Sequence, residues 1–199
     1  MRIFPFVFAL SVVPAAFAAP PPAQVEQVVG AMFSHASPEW KARVTQDETQ
    51  RLCSERRNSP TPAEAAAIEA REKKTIIFPT GGQLLGDWKR GEEIAQNGRG
   101  GQFSDEPGTV SGGNCYACHQ MDPKEISYGT IGPSLTGYGK LRDFKPEAAR
   151  DAFAKVFNAQ AVLACSTMPR FGHNKVLNEQ QIEDVTAYLM SPDSPVNKP

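Results

Sequence analysis

The chain of 199 residues is sparing with the side chains that most often carry chemistry: four cysteines, three histidines and two tryptophans. It also lacks charge of one sign, since 21 Lys and Arg face 22 Asp and Glu for a formal net charge of -1. Without a clustered positive surface there is little to release counterions from a phosphate backbone, which excludes a nucleic-acid binder of the usual kind. A disordered acidic tail is excluded as well, because the two signs are interspersed and 40% of the residues are hydrophobic. No segment alternates apolar and polar residues over the length of a strand, and no internal repeat occurs, so helices and loops remain as building material. Glycine and proline are the plentiful residues, 16 and 17 of them, and they predict long loops. At about 150 residues per domain, the length allows one domain with an extension, or two small ones.

The only long apolar run is at the start. Met1-Arg2 is a short positive beginning, Ile3 to Phe17 is almost wholly apolar, and Ala16-Phe17-Ala18 presents small residues where a signal peptidase cuts. The run is too short to span a bilayer and is interrupted by Pro5 and Pro14. Residues 1–18 are therefore expected to be a signal peptide, which places the mature chain in the periplasm. All four cysteines then lie in the exported part, where disulfides persist.

After the stiff Ala19-Pro20-Pro21-Pro22, the residues Val25, Val28, Val29 and Phe33 recur at helical spacing. Ser37-Pro38 reads as a helix start. Residues 62–74 are rich in Ala, Glu and Lys behind Thr61 and predict a mostly solvated helix. The expected boundary falls near Gly81-Gly82, making 19–83 a mostly helical N-terminal extension and 84–199 a compact all-α unit. Within that unit, Ala149, Phe153, Val156 and Phe157 share one helical face. Ile182, Val185, Tyr188 and Leu189 share another, behind Asn178 as cap.

Cys115-Tyr116-Ala117-Cys118-His119 is the motif with chemistry in it. Two thiols three residues apart can add to neighbouring vinyl groups of a haem, and the histidine after them is then placed under the iron. Three other readings stand beside it. A redox disulfide wants a βαβ setting that is missing, a zinc site wants a second close pair of ligands, and each cysteine can also belong to an ordinary structural disulfide. For a sixth iron ligand, Ser166-Thr167-Met168-Pro169 sets a thioether in a short loop between two expected helices, and His173 is the rival. Met121 is too near His119 to reach the opposite face, Met32 and His35 lie in the extension, and Met190 belongs to a helix stripe. The Pro133 carbonyl in Gly132-Pro133-Ser134-Leu135 can accept the Nδ1–H of His119, or the segment is a simple turn. Cys53 and Cys165 remain. In an oxidising compartment two leftover thiols most often pair, and the chain-entropy model assigns such a long loop roughly 4–5 kcal/mol; a free thiol near the haem is the alternative.

In order along the chain, these motifs resemble those of the class I cytochromes c: a helix with Gly91, C-Y-A-C-H, the Gly132-Pro133 loop, Met168-Pro169 and a C-terminal helix ending at Leu189. Residues 86–91, 113–119, 132–139 and 168–172 are similar, more narrowly, to the SoxX family, the monohaem subunits of the SoxAX cytochromes of bacterial sulfur oxidation. The resemblance implies one covalently bound haem c held by Cys115 and Cys118, with His119 and Met168 on the iron. It implies SoxA as heterodimer partner, the SoxYZ carrier reached through the complex, and a soluble cytochrome c as acceptor. Thiosulfate would be joined to a carrier cysteine (L-cysteine S-thiosulfotransferase activity), with the sulfur chemistry on SoxA and only electron transfer here. Two other functional classes stay open: a free-standing periplasmic electron shuttle, and a haem enzyme with a labile sixth ligand.

Overall fold

The computed structural model describes residues 20–106 and 108–198; the expected export segment at 1–18 lies outside the described residues. Two compact units divide between Asp47 and Glu48. Among the described residues there are helices, 3-10 turns and loops but no strand, an all-α class I cytochrome c-like fold.

The described part of the first unit holds α1 (Pro22–Met32) and α2 (Pro38–Val44). Proline occupies the first turn of each, where its missing N–H leaves no hydrogen bond unmade. Ser37 caps α2 through the Trp40 N–H, and Arg43 closes the last turn by pairing with Glu39 at 2.7 Å and stacking on Trp40 at 4.4 Å. Val25, Val28 and Met32 of α1 are exposed.

The second unit contains α3 (Glu48–Glu55), α4 (Pro62–Lys73), α5 (Trp88–Gln96), α6 (Pro146–Phe157) and α7 (Glu179–Met190). Reciprocal capping boxes start α4 and α7: Thr61 with Glu64, and Asn178 with Gln181. Helix α4 is mostly solvated, as its composition predicts, with one narrow inward face. Ile68 and Glu72, one turn apart, are both buried. The face they share packs toward Thr49 and Cys53 of α3 and toward residues 158–170. Residues 48–83 therefore fold together with the C-terminal part of the chain, and the unit boundary lies well before Gly81-Gly82. The apolar run 76–78 contributes as well, with Phe78 stacked on Phe153 of α6 at 5.5 Å.

Helices α5 and α7 meet backbone to backbone at Gly91. A Cβ added at Gly91 would overlap the Asp184 carbonyl and the Tyr188 Cβ, so only glycine lets the two backbones meet. Beside the crossing, buried Asp184 receives Arg90 Nε at 2.9 Å, the Asp87 N–H at 2.8 Å and Gln180 Nε2 at 3.1 Å. Phe153, Val156, Phe157, Ile182 and Val185 interlock α6 with α7. Each such side chain, once buried, contributes on the order of 1.5–3 kcal/mol.

Two predictions test this packing. Gly91→Ala must push α5 off α7, and overpacking of this kind should lower unfolding stability by about 2–3 kcal/mol in a denaturant titration. Burial alone would raise the Asp184 pKa, but the hydrogen bonds from Arg90, Asp87 and Gln180 outweigh it and hold the carboxyl below its ordinary value. A depressed folded pKa gives stability that is present above the unfolded value of roughly 4 and lost as pH falls through the folded one. Asp184→Asn should flatten that acid limb of the stability profile relative to the parent chain.

Candidate functional site

The C-x-x-C-H segment is seated from two sides. Helix α5 ends at Gln96, and the carbonyls of Ile94 and Asn97 near its C-terminus accept the Gly113 and Asn114 N–H groups at 2.8 and 3.0 Å. Asn114 then takes the left-handed conformation, φ 46°, which turns the chain into a 3-10 turn over Cys115–Ala117. On the other side, Tyr116 is buried with its hydroxyl 2.8 Å from that of Tyr188 in α7, and it also accepts the Asp122 N–H at 3.1 Å. Burial raises the pKa of both tyrosines, so they stay neutral hydrogen-bonding groups.

Cys115 and Cys118 are free thiols and are not bonded to each other. Burial pushes the Cys115 thiol up to about 12. A redox-active C-x-x-C pair depends on a lowered thiol pKa, and the Cys115 thiol is shifted the other way. Among the described residues no three His, Cys, Asp or Glu side chains gather as a metal cluster would need, which leaves the zinc alternative without a constellation.

The loop after the motif is stitched along it. Gly129 N–H donates to the Tyr116 carbonyl, Gly132 N–H to Cys118, Leu135 N–H to Gln120, and Thr136 Oγ1 to Met121, all between 2.8 and 3.0 Å. This register sets the Pro133 carbonyl 2.7 Å from His119 Nδ1. A carbonyl only accepts, so Nδ1 carries the proton and Nε2 keeps its lone pair for a metal. The ring lies flush on Gly132, where a Cβ would overlap its Nδ1, Cε1 and Nε2. The residues present thus fit a covalently attached haem: two free thiols at the right spacing, then an imidazole with its tautomer and orientation already fixed.

The remaining sequence-derived residues fall into place by region. Cys53 of α3 and Cys165 are joined in a disulfide with Cα atoms 5.3 Å apart. Met168 is half-buried and packs on the cluster that contains Phe157, Leu177 and Ile182. A Cβ at Gly113 would touch Cys115 Sγ at 3.1 Å and Leu177 at 3.8 Å, and Cys115 itself packs on the neighbouring cluster of Tyr116 and Tyr188. His173 is half-buried and its N–H is tied to the Phe157 carbonyl at 3.1 Å. Met121 and Met190 are core residues, and His35 is exposed in the first unit.

Sequence reasoning missed a buried polar cluster. Glu72 accepts hydrogen bonds from Thr49 Oγ1, from Asn158 Nδ2 at 2.7 Å and from Arg170 Nη1 at 3.3 Å. All four side chains are buried. The one signal available was that Glu72 stands four residues after Ile68 and so shares its face.

Gly132→Ala tests the seating of His119. The added methyl group must displace the ring, and the variant should accumulate far less haem-loaded protein than the parent, read from the Soret absorbance per unit of protein.

Comparison with known proteins agrees with this geometry. The cytochrome c family model matches residues 89–192. A protein of Aquifex aeolicus (strain VF5) named "Uncharacterized lipoprotein" is 38% identical over 162 residues, covering 79% of this chain and 76% of its own length. The family match spans α5, the C-x-x-C-H turn, the stitched loop, α6 and α7, the elements that build and hold the site. The chain belongs to the cytochrome c family, whose members carry covalently bound haem c.

Proposed function

We propose that this chain is a monohaem electron-transfer subunit of a SoxAX-type complex, holding its one haem through Cys115 and Cys118 and its iron through His119 and Met168. The observation that carries the electron-transfer part is the hydrogen bond of 2.7 Å between His119 Nδ1 and the Pro133 carbonyl. It leaves Nε2 a committed and oriented ligand. The haem supplies the one-electron couple when bound. The chain keeps the surroundings of that couple constant, because Gly132 fixes the imidazole ring and the loop bearing Met168 is fastened on both sides of it. A thioether in the sixth position raises the reduction potential relative to a second histidine. The order and spacing of the motifs at 86–91, 113–119, 132–139 and 168–172 support the narrower SoxX assignment. With it come SoxA as partner, thiosulfate as the electron source through the SoxYZ carrier, and a soluble cytochrome c as acceptor. Export to the periplasm is supported by the leader pattern at 1–18 and by the relative's name, lipoprotein.

Two measurements test the proposal. Met168→Ala should abolish the near-infrared methionine–iron charge-transfer band, open the sixth position to carbon monoxide, and lower the potential by on the order of 0.1 V, within the roughly 0.8 V that axial ligands span. An unchanged spectrum transfers the role to His173. Affinity capture of the full chain from its own periplasm should bring down a second haem-bearing polypeptide with thiosulfate-dependent reduction of both. A monodisperse monomer at cellular concentration favours the free-standing shuttle instead.

A further inference from the structure

The loop that carries Met168 is held by a part of the chain that lies before the stretch matching the cytochrome c family model. Three contacts reach it from α3 and α4. Cys53 of α3 is bonded to Cys165, three residues before the methionine. Glu69 of α4 accepts the Ala164 N–H at 3.4 Å. Glu72, one turn further along α4, binds Arg170, two residues after the methionine. Glu69 and Glu72 are three apart, so one face of one helix reaches both sides of the loop.

The local chemistry suits a fastening. Cys165 sits in the left-handed region at φ 58°, a conformation that L-residues adopt only when their surroundings impose it. Met168 N–H donates to Ser166 Oγ at 3.2 Å, which curls the chain immediately before the thioether. Glu72 and Arg170 are each 5% exposed at the side chain. A buried ion pair adds little net stability over well-packed apolar groups, but once built it admits few alternative arrangements, because moving either partner strands a charge. Asn158 and Thr49 take up further valences of the carboxylate, so its position is set by α3, by the end of α6 and by the loop together. Four residues lie between Cys165 and Arg170. With both ends pinned, Met168 cannot travel far from where it is held.

We propose that α3 and α4 are a positioning brace for the sixth iron ligand, with Cys53, Glu69 and Glu72 as the positioning residues. The brace keeps the Met168 thioether in place through both oxidation states and keeps exogenous ligands off the iron. This rests on Met168 being the sixth ligand. Neither α3 nor α4 lies within the stretch 89–192 that matches the cytochrome c family model, so the brace stands outside the part matched to that family.

The rate at which carbon monoxide binds the ferrous, haem-loaded full chain reads how often the loop opens. The parent should bind slowly, at a rate independent of carbon monoxide concentration once that is high. Glu72→Gln, and separately the Cys53→Ala/Cys165→Ala double variant, should each raise that limiting rate about tenfold or more at a temperature far below unfolding. Glu69→Gln should raise it less. Should Glu72→Gln not accumulate as folded haem protein, the double cysteine variant and Glu69→Gln decide by the same rate. Met168→Ala separates the two readings. If it binds carbon monoxide rapidly while the brace variants keep the parent's slow rate and lose only thermal stability, the brace is overturned and the ligand stands. If it remains as slow as the parent, the ligand assignment itself is overturned.

Discussion

Everything at the candidate site hangs from the crossing of α5 and α7 at Gly91. The absence of a side chain there lets Asp184 and Tyr188 close on the α5 backbone. The two helices then become fixed points for the attachment turn. Residues Gly113 and Asn114 bond to carbonyls at the end of α5, and the Tyr116 hydroxyl meets that of Tyr188 in α7. Separate the helices and the C-x-x-C-H turn loses both anchors. A single atom's worth of missing volume therefore sets where the thiols and the imidazole stand.

From that turn outward, the site is assembled by backbone register. Four hydrogen bonds lay residues 129–136 along residues 116–121, and the Pro133 carbonyl arrives at His119 Nδ1 as a consequence. Proline suits the position because it adds rigidity and its carbonyl is still free to accept. The loop of Met168 relies on side chains. A disulfide and a buried carboxylate pin the loop of Met168 to helices far earlier in the sequence. Local backbone pairing holds the proximal side, and long-range side-chain contacts hold the methionine loop.

The buried Glu72 cluster also explains why the organisation of the second unit differs from what composition suggests. An Ala-, Glu- and Lys-rich helix has no apolar stripe, and α4 reads accordingly as a mostly solvated helix with no evident packing partner. Its inward face consists of Ile68 and one charged side chain whose partners, Thr49, Asn158 and Arg170, are dispersed across more than a hundred residues. Hydrophobic periodicity has no means of registering a face whose complement is an ion pair.

The helical class, the caps at Thr61 and Asn178, the buried stripes of α6 and α7, and the attachment motif are all legible in the residues alone. These are local: a spacing of three or four residues, or an adjacency such as Cys118-His119, carries its geometry with it wherever the chain goes. Long-range packing chose, between a simple turn and a contact, that Pro133 reaches His119, and it joined α3 and α4 to the haem unit. It also settled that Cys53 meets Cys165, and that Glu72 and Arg170 share a buried site beside Met168. Those facts depend on which distant segments the α5–α7 crossing brings together. Such meetings arise from the summed packing of the whole chain, and no window of the sequence contains them.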